Sequence, residues 1–222
     1  KPSFKPEWSQ ISGKLKQVSV DGDTVCGVNA HDHIYCKDSL SDGSWRKLPG
    51  GLKYVSVSGG KLYGVNRNDD IYYSPNTQGQ WTRIPGKLKQ VDLDGDTVCG
   101  VNSADHIFCK DSLTGGSWRK LPGGLKHVSV SGGKLYGVNR NDDIYYSPNT
   151  QGQWTRIPGK LKQVDLDGDT VCGVNSADNI YCKDSLTGRD WTRLSGGLKH
   201  ISVSGGVLYG VNSKDDIYSD EK

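Results

Sequence analysis

Trp45-Arg46-Lys47-Leu48-Pro49-Gly50-Gly51-Leu52-Lys53-Tyr54-Val55-Ser56-Val57 decides how the rest of the chain is read, because versions of it recur from one end to the other. Its tryptophan returns at Trp8, Trp45, Trp81, Trp118, Trp154 and Trp191, so the period alternates between 37 and 36 residues over six copies. Gly-Val-Asn keeps step, beginning at Gly27, Gly64, Gly100, Gly137, Gly173 and Gly210, each time followed by Asp and then Ile. Two motifs locked at one spacing mark one supersecondary unit repeated into an array.

The unit is made of strands. Thirty glycines and eight prolines punctuate short runs of Val, Ile, Leu and Tyr, and no amphipathic helical run interrupts them, which reads as all-β. The first period gives four strands, over residues 15–20, 24–29, 34–37 and 44–48, joined as an antiparallel meander. In its central hairpin Cys26 should face Cys36, Gly27 face Tyr35 and Val28 face Ile34. Alternate repeats replace the cysteines by Tyr63 and Tyr73 or Tyr136 and Tyr146, and the last has Tyr209 and Ser219. The strand around Trp8 has none before it, whereas the last unit, residues 198–218, stops short of its own tryptophan strand. The expectation is therefore a single domain over residues 1–222, a six-bladed β-propeller of four-stranded blades in three two-blade units. Residues 6–12 would supply the outermost strand of the sixth blade and close the ring.

Low hydropathy and the lack of any long apolar run predict no membrane partner. A net charge of only +3, with lysines spread through every repeat, predicts no nucleic-acid partner. The absence of Met and the opening Lys1-Pro2-Ser3 read as a processed mature product. The cysteines fall as Cys26 and Cys36, Cys99 and Cys109, Cys172 and Cys182, with no C-x-x-C or histidine cluster. Three local disulfides, an oxidising compartment and secretion follow.

The pattern Trp-x-x-[Ile/Leu]-Pro-Gly-x-Leu-Lys-x-[Val/Ile]-x-[Val/Leu], then Gly-Val-Asn-x-x-Asp-x-Ile-Tyr, resembles the tectonin repeat from about Trp8 to Tyr218. The whole chain is similar to the tectonin lectins of the fish-egg, carp fishelectin type. Before Gly-Val-Asn, where tectonins often carry Trp, stand Cys26, Tyr63, Cys99, Tyr136, Cys172 and Tyr209. The resemblance implies a propeller that binds carbohydrate, particularly N-acetylglucosamine and related sugars on microbial surfaces, without catalysis.

Residues present in all six copies are read as building the blade, and those that alternate as free to serve a ligand. By this rule the Asn29-x-x-Asp32 turn and its five equivalents are scaffold, as are the tryptophans, which pack between blades. The alternating residues include Tyr54, His127 and His200, which take turns with Gln17, Gln90 and Gln163, and the turns Asn66-Arg67-Asn68-Asp69-Asp70 and Asn139-Arg140-Asn141-Asp142-Asp143. A meander places both groups at one rim. The candidate carbohydrate contacts are Tyr54, Asn68, Asp70, His127, Asn141, Asp143, His200 and Asp216: amides and carboxylates for ring hydroxyls, beside planar rings for the apolar face of a pyranose. Ordinary solvated turns are the plainer reading of the same residues.

No cofactor is expected. The turns Asp92-Leu93-Asp94-Gly95-Asp96 and Asp165-Leu166-Asp167-Gly168-Asp169 raise weak calcium binding, although their spacing is tighter than a full oxygen cage and the later bidentate Glu is missing. No His-Glu-x-x-His or Gly-x-Ser-x-Gly occurs, and the paired carboxylates Asp69 and Asp70 recur on several blades where catalysis needs one asymmetric site, so no enzyme is expected. The threefold two-blade repeat and the tectonin resemblance together imply a secreted multivalent lectin for N-acetylglucosamine-type sugars on microbial or egg glycans. The rival is a propeller that binds a protein partner, or further copies of itself as a homo-oligomer, through a ring face. Residues 55–105 recur unchanged as 128–178.

Overall fold

A computed structural model describes residues 4–40 and 43–221. Six four-stranded antiparallel sheets follow one another along the chain. Their innermost strands, Gln17–Asp21, Tyr54–Ser58, Gln90–Asp94, His127–Ser131, Gln163–Asp167 and His200–Ser204, contact one another in sequence and, last to first, close a ring. The protein is the six-bladed all-β propeller that the repeat predicts.

The closing strand is Ser9–Lys14 rather than residues 6–12, and it pairs Ser9 with Ser219, Gln10 with Tyr218 and Ile11 with Ile217 on the third strand of the last blade. The register shifts between Ile11 and Lys14, so the strand runs later than the pattern suggests. In the hairpins the sequence reading holds to the residue: Cys26 opposes Cys36, Gly27 opposes Tyr35 and Val28 opposes Ile34.

Both faces of the second strands are buried, as in Thr24–Val28, because each blade lies between two others. The core is accordingly divided among the blade junctions. At one, Cys26, Val28 and Ile34 of the first blade meet Leu52, Val55 and Leu62 of the second. The glycine of Gly-Val-Asn has its reason here: a Cβ on Gly64 would lie 2.4 Å from Leu52 Cδ1 and 2.8 Å from the Tyr54 carbonyl.

The Asn-x-x-Asp turns join the junctions. Asn29 Oδ1 accepts the N–H groups of His31 and His33, and Asp32 adopts φ 64°. The Asp32 carbonyl then accepts the Leu52 N–H of the next blade while its carboxylate receives Lys16 from its own. All six copies repeat this arrangement, Asp tolerating the left-handed region better than most residues.

Disulfides link Cys26 to Cys36, Cys99 to Cys109 and Cys172 to Cys182. In alternate blades the Tyr63–Tyr73 and Tyr136–Tyr146 rings sit 5.5 Å apart, tilted rather than stacked. The hydroxyls of Tyr63 and Tyr136 donate to Leu113 O and Leu186 O in the following blade. Replacing one cysteine pair by serines is expected to cost about 2–3 kcal/mol, measured by denaturant unfolding, since each bridge closes a short loop in the unfolded chain.

Candidate functional site

Four of the blade junctions carry a cleft built largely from residues that the repeats share. Gly50-Gly51-Leu52 crosses from the first blade to the second, and Trp81 leans back over it, its Nε1–H donating to the Pro49 carbonyl at 2.8 Å. Gly50 has φ +89°, and a Cβ there would stand 3.2 Å from the indole nitrogen, so the crossing must be bare backbone. Together with Asn66 and Tyr72 these residues enclose about 260 Å³. The same set recurs with Trp154, Tyr145 and Asn139 (about 270 Å³) and with Trp8, Tyr218 and Asn212 (about 300 Å³). At a fourth junction Trp191, Tyr181 and Asn175 enclose about 320 Å³, with Lys160 in place of the second glycine. These volumes lie at or just below the lower limit of the usual range for small-ligand sites, about 300–1,000 Å³.

The chemistry of a cleft follows from what is already committed. Asn66 Oδ1 accepts the N–H groups of Asn68 and Asp70 at 2.9 Å each, so the amide group it can offer a ligand is the Nδ2 donor. The half-buried indole and phenol rings supply apolar faces, and the phenol a hydroxyl.

Two ion clusters sit beside alternate clefts. Asp143 Oδ1 receives both Lys160 and Arg156, and Asp70 Oδ1 receives both Lys87 and Arg83. The hydrogen bond from Lys160 holds the Asp143 carboxyl below the usual carboxylate range, and that from Lys87 does the same for Asp70. Asp216 is lowered in the same way by Lys14.

The inner strands line an axial channel, where the alternation in sequence has its structural meaning. At the first position Gln17, Gln90 and Gln163 each clasp the backbone of the next blade, Gln90 through Val128 N and O. The intervening Tyr54, His127 and His200 turn to the axis and meet there. Tyr54 Oη lies 2.9 Å from His127 Nε2 and 3.2 Å from His200 Nε2. A phenol gives one proton and takes one, so the two imidazoles are of opposite tautomers. Burial pushes His127 down to about 3 and His200 well below its ordinary value, so both are neutral.

Two residues further along, Asp92 and Asp165 face one another through Ser129. The Ser129 hydroxyl lies 3.0 Å from Asp92 Oδ2 and 3.0 Å from Asp165 Oδ1, and it already accepts the Leu166 N–H. One hydroxyl proton cannot serve two carboxylates, so one carboxyl carries a proton. Asp165 Oδ1, which meets no other donor among the described residues, is its natural seat: Asp165 donates to Ser129, and Ser129 to Asp92. Desolvation drives both carboxyls above their ordinary range, Asp165 further because Asp92 stands beside it. At the channel mouth Asp21, Asp94 and Asp167 accept the N–H groups of Gly59, Gly132 and Gly205.

The sequence-predicted contacts thus separate into two places. Tyr54, His127 and His200 share an end of the ring with the Asn-Asp turns, but they do not form an open sugar platform, because they converge on the axis and bond one another. Asn68 and Asn141 are exposed in their turns, and Asp70, Asp143 and Asp216 are held by cations. In the Asp-rich turn Asp92 Oδ2 accepts the Val130 N–H and Asp94 Oδ2 the Gly132 N–H, and no three His, Cys, Asp or Glu side chains gather as ligands among the described residues. What sequence reasoning set aside as scaffold, the tryptophans, Tyr72, Tyr145, Tyr181, Tyr218 and the turn asparagines, lines the clefts. Their signal was the constant phase between Trp and Gly-Val-Asn, which brings neighbouring repeats to one junction.

The family model for the Tectonin domain matches residues 3–111, 40–148 and 88–222. No curated protein matches the sequence. Among solved structures, the Cps50 (Swd1) β-propeller domain of Myceliophteria thermophila is similar with a TM-score of 0.69 and 12% identity, over 96% of this chain and 99% of that one. YCF48 bound to D1 peptide is similar with a TM-score of 0.63 and 11% identity, over 100% and 96%. Yeast RCC1 (Prp20), in its structure with Kap60, gives a TM-score of 0.63 and 9% identity, over 91% and 68%. At these identities the likeness is one of fold.

Proposed function

The chain belongs to the tectonin domain family, and on that footing we propose that it is a secreted multivalent lectin of innate or egg defence, binding N-acetylglucosamine-type sugars in the clefts between its blades. The observation that carries this reading is the recurrence at four junctions of one cleft with indole, phenol and an asparagine Nδ2 donor, floored by a Gly-Gly crossing at three of them and by Gly159-Lys160 at the fourth. An indole or phenol face suits the apolar side of a pyranose, and an amide N–H suits the acetamido carbonyl. Asn68, Asn141, Asp70, Asp143 and Asp216 lie on the turns flanking the clefts and supply further polar contacts. Each cleft is small and binds weakly; several on one ring engage a repetitive glycan surface together. The three disulfides suit an extracellular setting, and no helix is long and apolar enough to cross a membrane.

Retention on chitin or an N-acetylglucosamine-bearing glycan array, with elution by millimolar free sugar, is the expected result. The variant Trp8→Ala/Trp81→Ala/Trp154→Ala, checked for unchanged strand content by circular dichroism, should lose about 10²-fold or more in apparent affinity as avidity is lost. No retained sugar on the parent protein overturns the reading. The rival reading, a propeller that takes a protein partner or its own copies on a ring face, draws support from a solved propeller bound to a peptide. Against an apolar docking face stands the lack of exposed large hydrophobic residues among those described. Capture of one stoichiometric protein, unaffected by free sugar, would favour that rival.

A further inference from the structure

The clefts leave the axial channel unused, and it holds a ligand set of its own. We propose that Tyr54, His127 and His200 bind one divalent transition-metal ion of the zinc or nickel class on the propeller axis. The three donor atoms come from alternate blades and converge, with Tyr54 Oη 2.9 Å from His127 Nε2 and 3.2 Å from His200 Nε2. A tetrahedral zinc with bonds of about 2.0–2.1 Å separates its donors by roughly 3.3 Å, close to the two distances that join Tyr54 Oη to the imidazole nitrogens. Imidazole nitrogen beside an oxygen donor selects this class of ion over calcium or magnesium.

Three further observations point the same way. Residues 55–105 and 128–178 are identical, yet the residue just before them changes from Tyr54 to His127, an exchange that keeps a metal-ligating side chain at that place. Second, Asp92 and Asp165 lie two positions further along neighbouring inner strands. Serine hydroxyls and backbone N–H groups surround them, and no ion pair joins either to a cation among the described residues. The ionised Asp92 is thereby left without a cation of its own, which a dication on the axis would supply. Third, His127 Nδ1 and His200 Nδ1 are buried without a hydrogen-bond partner, so no bond at Nδ1 fixes either ring and each can turn to aim Nε2 at an ion. When both Nε2 atoms ligate, both rings become Nδ1–H tautomers: the proton now on one Nε2 moves to its Nδ1, and the phenol proton leaves to solvent if the oxygen binds as phenolate.

The test uses the full chain without an affinity tag, stripped by chelator and titrated with zinc chloride by calorimetry. One ion per chain with a micromolar or tighter constant is expected, and cobalt(II) should give the visible bands of a tetrahedral nitrogen and oxygen site. His127→Gln/His200→Gln, which keeps side-chain volume and polarity, should weaken zinc by about 100-fold or more, and Tyr54→Phe by about tenfold. Should the double variant misfold, the cobalt spectrum of the parent decides alone. No uptake at about 100 µM zinc, an octahedral cobalt spectrum, or uptake unchanged in a folded double variant overturns the proposal. None of these readouts involves sugar, so the result is independent of the lectin reading.

Discussion

Deleting residues 1–14 should destabilise the propeller by about 4–6 kcal/mol in denaturant unfolding and leave it prone to associate. The deletion removes the outer strand of the sixth blade, which pairs Ser9, Gln10 and Ile11 with Ser219, Tyr218 and Ile217. Backbone hydrogen bonds contribute about 1 kcal/mol each net, and burial of the Trp8 ring adds a comparable share. The Trp8 indole donates to Ser195 O, and Trp45 donates to Ser12 O, so two junctions lose a tie as well as the blade losing an edge. The Lys14–Asp216 ion pair goes too, though its lysine is exposed and its loss is minor. The bared edge of Asp216–Asp220 becomes a template for another chain. A circular permutant separates closure from simple truncation. Residues 4–14 are moved behind Glu221 through a loop as long as Pro75 to Trp81, with the chain now starting at Leu15. Its stability should return to within about 1 kcal/mol of the parent, since every strand pair is restored and only loop entropy changes. A deletion that unfolds at the parent midpoint would show that the ring does not depend on the borrowed strand.

That dependence was readable from residue order alone, and the reasons show where sequence reading stops. Six tryptophans in phase with six Gly-Val-Asn motifs fix the number of blades. The period-2 pattern around Cys26 and Cys36 fixes the hairpin register, because a slip by one residue would turn Val28 and Ile34 to the wrong face. Closure followed from an unpaired strand at each end. The axial set was a different matter: residues 54, 127 and 200 meet only because the ring's curvature brings alternate inner strands within reach across the axis. Alternation flagged them as special, but no local pattern distinguishes a side chain facing a rim from one facing the axis. The clefts were hidden for the opposite reason. Trp81 is at once a tie to Pro49 and a wall of a cavity, so treating a repeated residue as scaffold concealed its open face.

Asp165→Asn should raise stability, and by more as the pH rises. In the folded chain the Asp165 carboxyl is buried, its proton held against Ser129 while Asp92 stays ionised, so its folded pKa lies above that of an unfolded aspartate near 4. The sign is fixed by proton counting. Above the unfolded value the native state holds a proton that the unfolded state has released, so stability falls with rising pH, at up to about 1.4 kcal/mol per unit, until the folded group ionises. His127 and His200, held neutral by burial, act in the opposite sense as pH falls below about 6.5, so the comparison belongs between about pH 6.5 and 7.5, with chelator present. Asparagine reproduces the protonated carboxyl: its Nδ2 donates to Ser129 in place of Asp165 Oδ1, and its oxygen accepts Ser202 Oγ and the Val203 N–H, now 3.1 and 2.8 Å from Oδ2. The variant therefore avoids the cost of protonation and should be more stable by about 2–4 kcal/mol near neutrality, with a nearly flat profile over that window. Asp92→Asn lacks this match, since Asp92 Oδ2 takes both Val130 N–H and Ser129, and Oδ1 takes Ser56, leaving an amide N–H facing a donor. Equal effects of the two substitutions, or an Asp165→Asn profile that still slopes down by a full proton, would place the shared proton elsewhere.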